Sequence, residues 1–221
     1  MINSLNTMKK CLVGGLLALS LTGCQSAYYS AMEQVGFHKR DILVDRVDSA
    51  KEAQEEAQEQ FKDALEQYKS VVSFDGGELE SLYNRLEAEY EDSKAAAEGV
   101  TSHIAKVEDV AEALFEEWQE ELEQYQNRRL KSQSERQLRD TRSRYRKLIA
   151  SMKKAEKRME PVLTALNDNV LFLKHNLNAR AIGALKGELS TIRQDVDILI
   201  RDMQAAINES DKFIETLGKN Q

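Results

Sequence analysis

A 221-residue chain with one proline, 6% aromatic residues and abundant Ala, Glu, Gln, Lys, Arg and Leu excludes a sheet-rich domain and points to long helices or coiled coils. Its 31% charged residues and net charge of −7 would suit an unfolded acidic chain, but apolar residues recur with sustained helical spacing, which excludes disorder as the general state. Both cysteines, Cys11 and Cys24, stand at the N-terminal edge, which excludes a core built on disulfides.

The first element in chain order is an export signal. Lys9 and Lys10 precede an apolar run from Cys11 to Gly23, and Leu21-Thr22-Gly23-Cys24 has the lipobox pattern: an aliphatic residue, two small or permissive residues, then cysteine. The basic end stays on the cytoplasmic side, the apolar stretch enters the translocon, and small Thr22 and Gly23 fit beside the scissile bond. Thirteen residues fall short of the roughly 20 needed to cross a bilayer core. The expectation is a lipoprotein signal peptide over residues 1–23, starting at Met1 or Met8, cleaved before Cys24, with lipid on that cysteine as the membrane anchor. Resemblance to bacterial lipoproteins implies a diacyl or triacyl cysteine, and two or more chains make a durable tether. Gln25 follows the cysteine where an Asp would retain the protein at the inner membrane, so by the Gram-negative sorting rule that same resemblance implies the periplasmic face of the outer membrane.

Residues 24–36, with Tyr28 and Tyr29, read as a lipidated tether, and residues 37–218 as a helical bundle domain. The first long helix is expected from about Arg40 to Val72, where Leu43, Val47, Ala50, Gln54, Ala57, Phe61, Ala64, Tyr68 and Val71 step alternately by four and three. Gln54 in that stripe calls for a polar partner or water. Ser73 to Gly77 supplies a turn through its two glycines. A second helical region starts near Glu78, with a kink expected near Gly99. It resumes through Ile104, Val107, Ala111, Leu114, Trp118 and Tyr125, with Trp118 expected to fill the core.

From Asn127 to Ser134 the stripe lapses, and Ser132 with Glu135 forms an S-x-x-E pattern able to cap a new helix. The third stripe runs from Leu138 through Met152, Met159, Leu166 and Leu173 to Leu177, keeping phase across Pro161, which either kinks one helix or begins a collinear one. After Asn176 to Arg180 a last stripe runs from Ile182 to Leu217. Four stripes must bury one another, so the fold class is all-α: an elongated antiparallel bundle or coiled coil of about four long helices.

Charge is sharply segregated. Residues 48–125 carry 23 acidic and 6 basic side chains, whereas residues 128–160 carry 13 basic and 4 acidic. Either the basic helix folds beside the acidic one, where flanking charges choose partner and orientation, or it leaves a surface for an anionic partner. Arg136, Arg139, Arg142, Arg144, Arg146 and Lys147 would form that surface, toward envelope proteins or anionic lipid head groups. Removing the leader takes away two lysines, so the mature chain has formal charge −7 − 2 = −9; with export, this excludes nucleic acid as a partner.

No constellation carries chemistry. His38, His103 and His175 lack a second His or Cys at zinc-ligand spacing, and there is no G-x-S-x-G and no phosphate-cradling glycine loop. The run Glu116, Glu117, Glu120, Glu121 and Glu123 reads as a solvated helix face. No catalytic residue, cofactor or metal is expected.

Two stretches carry a family resemblance: Gly36-Phe37-His38-Lys39-Arg40-Asp41-Ile42-Leu43-Val44-Asp45-Arg46-Val47, leading into Ala53 to Tyr68, and Pro161 to Leu189 around Leu171-Phe172-Leu173-Lys174-His175-Asn176-Leu177-Asn178. They resemble the bacterial domain-of-unknown-function family twenty-nine fifty-nine, helical lipoproteins of Gram-negative bacteria. The resemblance implies the same address and fold, and brings no catalytic residues with it. The function expected is a noncatalytic envelope scaffold or interaction module anchored through Cys24. The alternative is binding or transfer of lipid or another amphiphile in a cavity between helices.

Overall fold

The apolar stripes become four helices in the computed structural model, which describes residues 38–218 apart from 75 and 77. The helices are α1 (Lys39–Val72), α2 (Leu79–Gln124), α3 (Arg128–His175) and α4 (Ala179–Gly218). The signal peptide, Cys24 and the tether lie outside the described residues. The chain divides into two compact units, Met1–Ile42 and Leu43–Gln221. Of the first, residues 38–42 open α1, where the N–H groups of Asp41 and Ile42 donate to the His38 carbonyl at 2.9 and 3.1 Å. The second holds the bundle.

In the bundle every member of the α1 stripe is fully buried, from Leu43 and Val47 through Phe61 to Tyr68 and Val71. A stripe repeating every 3.5 residues stays on one face of the helix, so α1 removes that whole face from water. Polar contacts fix the direction of its neighbours. Lys51 pairs with Asp211, the Gln58 side-chain amide donates to the Ile200 carbonyl, and Tyr68 reaches the Leu185 carbonyl, so α1 and α4 run antiparallel. Lys131 with Glu123 and Lys153 with Glu108 set α3 antiparallel to α2. Arg144 with Thr216 and Arg158 with Asp202 set α4 antiparallel to α3.

The helix boundaries follow local chemistry. Gly76 turns the chain between α1 and α2 with φ of +146°, a conformation that side chains other than glycine rarely adopt. α3 starts at Arg128, not near Ser132: Asn127 is its N-cap, its Oδ1 accepting from the N–H groups of Arg129 and Leu130 at 3.0 and 3.3 Å. The lapse in the stripe there marks exposed helix surface, not the absence of helix, and the Ser132 hydroxyl instead accepts from Arg136. α2 runs unbroken through Gly99, because buried Ala97, Val100 and Ile104 carry its stripe past that residue. α3 likewise continues through Pro161. The proline and Lys157, whose carbonyl loses its helical donor, are both exposed, so water can solvate that carbonyl.

Buried polar groups punctuate the core, among them those of Tyr68, Asn169 and Gln54. The hydroxyl of fully buried Tyr68 lies 3.0 Å from Asn169 Oδ1 and 2.9 Å from the Leu185 carbonyl, while Asn169 Nδ2 donates to Ala165, so α1, α3 and α4 meet on one satisfied polar junction. Burial and the charge of Glu188 push the Tyr68 phenol well above its ordinary pKa, and it is neutral at any physiological pH. Gln54 is equally buried, yet neither its Oε1 nor its Nε2 has a hydrogen-bond partner within the protein. The partner expected for it is therefore not supplied by any side chain or carbonyl of the bundle.

Tyr68→Phe is expected to lower the unfolding free energy by about 1–2 kcal/mol in urea titrations, since it removes the one buried proton shared by Asn169 Oδ1 and the Leu185 carbonyl without opening a cavity. Gly99→Ala should have the opposite sign. A Cβ there meets nothing within 4 Å, so the gain in helix propensity of about 0.5–1 kcal/mol should appear as a higher thermal midpoint.

Candidate functional site

The basic character of α3 divides into a part committed to packing and a part facing water. Leu138, Thr141, Leu148, Met152, Ala155 and Met159 take the buried stripe, so the cations occupy the flanks and the outer face. On the flanks, Lys131 reaches Glu123 at 3.2 Å and Lys153 reaches Glu108 at 2.5 Å, both on α2. Lys154 and Arg158 converge on Asp202 of α4 at 2.6 and 3.4 Å. Asp202 is buried while its two partners are at least half exposed, so the pairs orient α3 against α4 more than they stabilise the contact.

Of the six residues expected to form a partner surface, Arg136, Arg139, Arg144, Arg146 and Lys147 are exposed. Arg144 also donates to Thr216 of α4 at 2.7 Å. Arg142 has a different environment. It is half-buried, donates to the Phe115 carbonyl at 3.0 Å, and places its guanidinium 5.4 Å from the centre of the Phe115 ring. Phe115 and Tyr145 meet edge to face with centroids 5.4 Å apart, and Tyr145 and Phe213 lie tilted at 6.5 Å, so the three rings join three helices. Burial, with Glu108 and Glu112 nearby, pushes the Tyr145 phenol up to about 12. Arg142 thus serves helix packing, which no spacing in the chain could announce because Phe115 lies 27 residues away.

Trp118 is half-buried and does not fill the core as expected. Its Nε1 donates to the Ser134 hydroxyl at 2.8 Å and pins α2 to α3 near their turn. Glu116, Glu120, Glu121 and Glu123 are exposed, and Glu123 is paired with Lys131. His38 and His175 are exposed, whereas His103 is half-buried, its pKa lowered by burial and by Lys106 and Arg46. Among the described residues no group of three His, Cys, Asp or Glu could hold a metal ion.

Between α2 and α3, at the level of Pro161, lies a groove of about 740 Å³. Tyr90, Ala97, Met159 and Leu163 form its floor, and Lys94, Glu98, Lys157 and Glu160 its rim. It is open to solvent, and its rim carries both signs of charge.

The sequence-based reading placed the α3–α4 junction at Asn176 to Arg180, and the turn falls at residues 176–178, but the apolar surface exposed beside it was not foreseen. Leu177, expected to close the third stripe, is 42% exposed, as is Phe172, and Leu171 is 49% exposed. The signal was present: Leu171 and Phe172 stand side by side between the buried stripe members Val170 and Leu173, so at least one had to face outward.

The family model described as "Protein of unknown function (DUF2959)" matches residues 28–217. The chain belongs to the DUF2959 family. No curated protein and no solved structure matches it. The DUF2959 match takes in nearly all of the four helices, and its description indicates no catalytic family. Among the described residues, the basic face, the groove and the exposed apolar side chains beside the turns are features of this DUF2959 member's surface.

The two roles of the basic residues separate on mutation. Arg142→Ala should destabilise the fold by about 1–2 kcal/mol in chemical denaturation, through the lost hydrogen bond and ring contact. Arg139→Ala, on the exposed face, should stay within about 0.5 kcal/mol of the parent.

Proposed function

We propose that this DUF2959 protein is a lipid-anchored, noncatalytic scaffold or interaction module of the cell envelope. It is held through Cys24 on the periplasmic face of the outer membrane, with envelope proteins or anionic lipid head groups as its partners. The observation that carries this reading is Leu21-Thr22-Gly23-Cys24 closing a thirteen-residue apolar run led by Lys9 and Lys10. The bundle is compatible with it: among the described residues no helix is long and apolar enough to cross a membrane, so attachment would fall to the N-terminal segment. The exposed cations of α3 supply a face to which an acidic partner could be steered.

A second reading, binding of lipid or another amphiphile, draws on the α2–α3 groove. Its apolar floor would accept an acyl chain, while Lys94 and Lys157 stand on the rim.

Metabolic labelling with an alkyne fatty acid decides the anchor. The parent chain should take up label and release its leader, and Cys24→Ser should lose both. Unchanged labelling of Cys24→Ser would overturn the anchor. Crosslinking with mass spectrometry in the same cells should return envelope partners joined through the exposed α3 face.

A further inference from the structure

Among the described residues, five large apolar side chains are exposed, and all of them lie at helix ends: Tyr125 and Leu130 beside the α2–α3 turn, Leu171, Phe172 and Leu177 at the α3–α4 turn. A single exposed leucine is ordinary; three within seven residues form a patch that asks for an occupant. The segment that carries these side chains is basic. From Asn169 to Gly187 there is no Asp or Glu, while Lys174, Arg180 and Lys186 are all exposed, in a chain whose net charge is −7; exposed Asp168 and Glu188 bound the segment.

The polar atoms of the turn are spent on its own backbone. Asn178 Oδ1 accepts from the N–H groups of Arg180 and Ala181 at 3.0 and 3.2 Å. Asn176 donates from its side chain to the Phe172 carbonyl and from its backbone to the Leu173 carbonyl, both at 2.9 Å. A turn closed in this way brings few unsatisfied groups to a medium of low dielectric constant. Apolar side chains at the tip, cations behind them and a self-satisfied backbone are the requirements for seating on a membrane interface.

We propose that the α3–α4 turn docks on an anionic lipid surface, with Leu171, Phe172 and Leu177 entering the acyl boundary and Lys174, Arg180 and Lys186 meeting the head groups. The contact is made by the α3–α4 edge alone, because Glu78 and Glu80 are exposed beside the α1–α2 turn at the same end of the bundle and are repelled by such a surface. The proposed contact draws only on residues of the bundle and makes no use of lipid on Cys24.

The chain has one tryptophan, which allows a reporter at the tip. The full chain carrying Trp118→Phe and Phe172→Trp would be mixed with vesicles of phosphatidylglycerol or of phosphatidylcholine, each with or without brominated acyl chains. The indole at position 172 should shift to the blue and be quenched by brominated phosphatidylglycerol, in the Cys24→Ser background as well. Changing Lys174, Arg180 and Lys186 to Glu should reduce partitioning by at least about tenfold. An indole that stays equally open to an aqueous quencher with and without phosphatidylglycerol overturns the proposal. So does equal insertion into both lipids, or a concentration-dependent dimer that Leu171→Glu and Leu177→Glu abolish, which would assign the patch to a second copy. Circular dichroism of each variant confirms that the helices persist.

Discussion

Everything in the bundle depends on one constraint: the apolar face of α1 must be covered along its whole length. A nine-residue stripe from Leu43 to Val71 with no solvent exposure needs neighbours on both sides, and α2, α3 and α4 are arranged to provide them. Alanines at 50, 57 and 64 let the backbones approach, while Phe61 and Tyr68 fill the wider gaps between helices. Gln54 breaks the pattern at a cost, since an amide without protein partners weakens the core around it. Tyr68 shows the converse: its hydroxyl is buried as deeply, but Asn169 and the Leu185 carbonyl satisfy it and fix the axial register of three helices at one level.

Within that frame the segregated charge acts as a sorting device. Hydrophobic burial is non-directional and would tolerate several helix orders and registers. Lys131 with Glu123, Lys153 with Glu108, and Lys154 and Arg158 with Asp202 favour the observed one, in which the basic helix meets acids on both neighbours. Each pair is worth little by itself in water; their value lies in excluding the like-charged alternatives. The same helix then retains exposed cations on its outer face, so the cations that pack and those left in water are different residues of a single basic segment.

The ends of the helices obey a different rule from their middles. Along its length a helix in the bundle has neighbours to cover apolar side chains, but at a turn the neighbours stop. That is where large apolar residues reach solvent, at Tyr125 and Leu130 in one place and at Leu171, Phe172 and Leu177 in the other. Whatever this protein touches through apolar contact has these tips and the α2–α3 groove available to it.

The sequence alone determined the four helices and most of the face that each buries, because both are encoded in local spacing. The α1 stripe was legible residue by residue, and α1 begins at Lys39 and ends at Val72, against a reading of about Arg40 to Val72. The Leu21-Thr22-Gly23-Cys24 pattern is equally local, whereas the cap at Asn127 was overlooked in favour of Ser132, because a lapse in the stripe resembles a loop. Only the tertiary structure decided what lies across from each face. Arg142 became a packing residue because the Phe115 carbonyl and ring lie against it, Trp118 became a pin because Ser134 faces it, and Leu177 became exposed because no helix extends over it. Periodicity reports that a face must be covered; it does not report where along the helix the covering neighbour ends, and the surfaces open to partners are set by those endings.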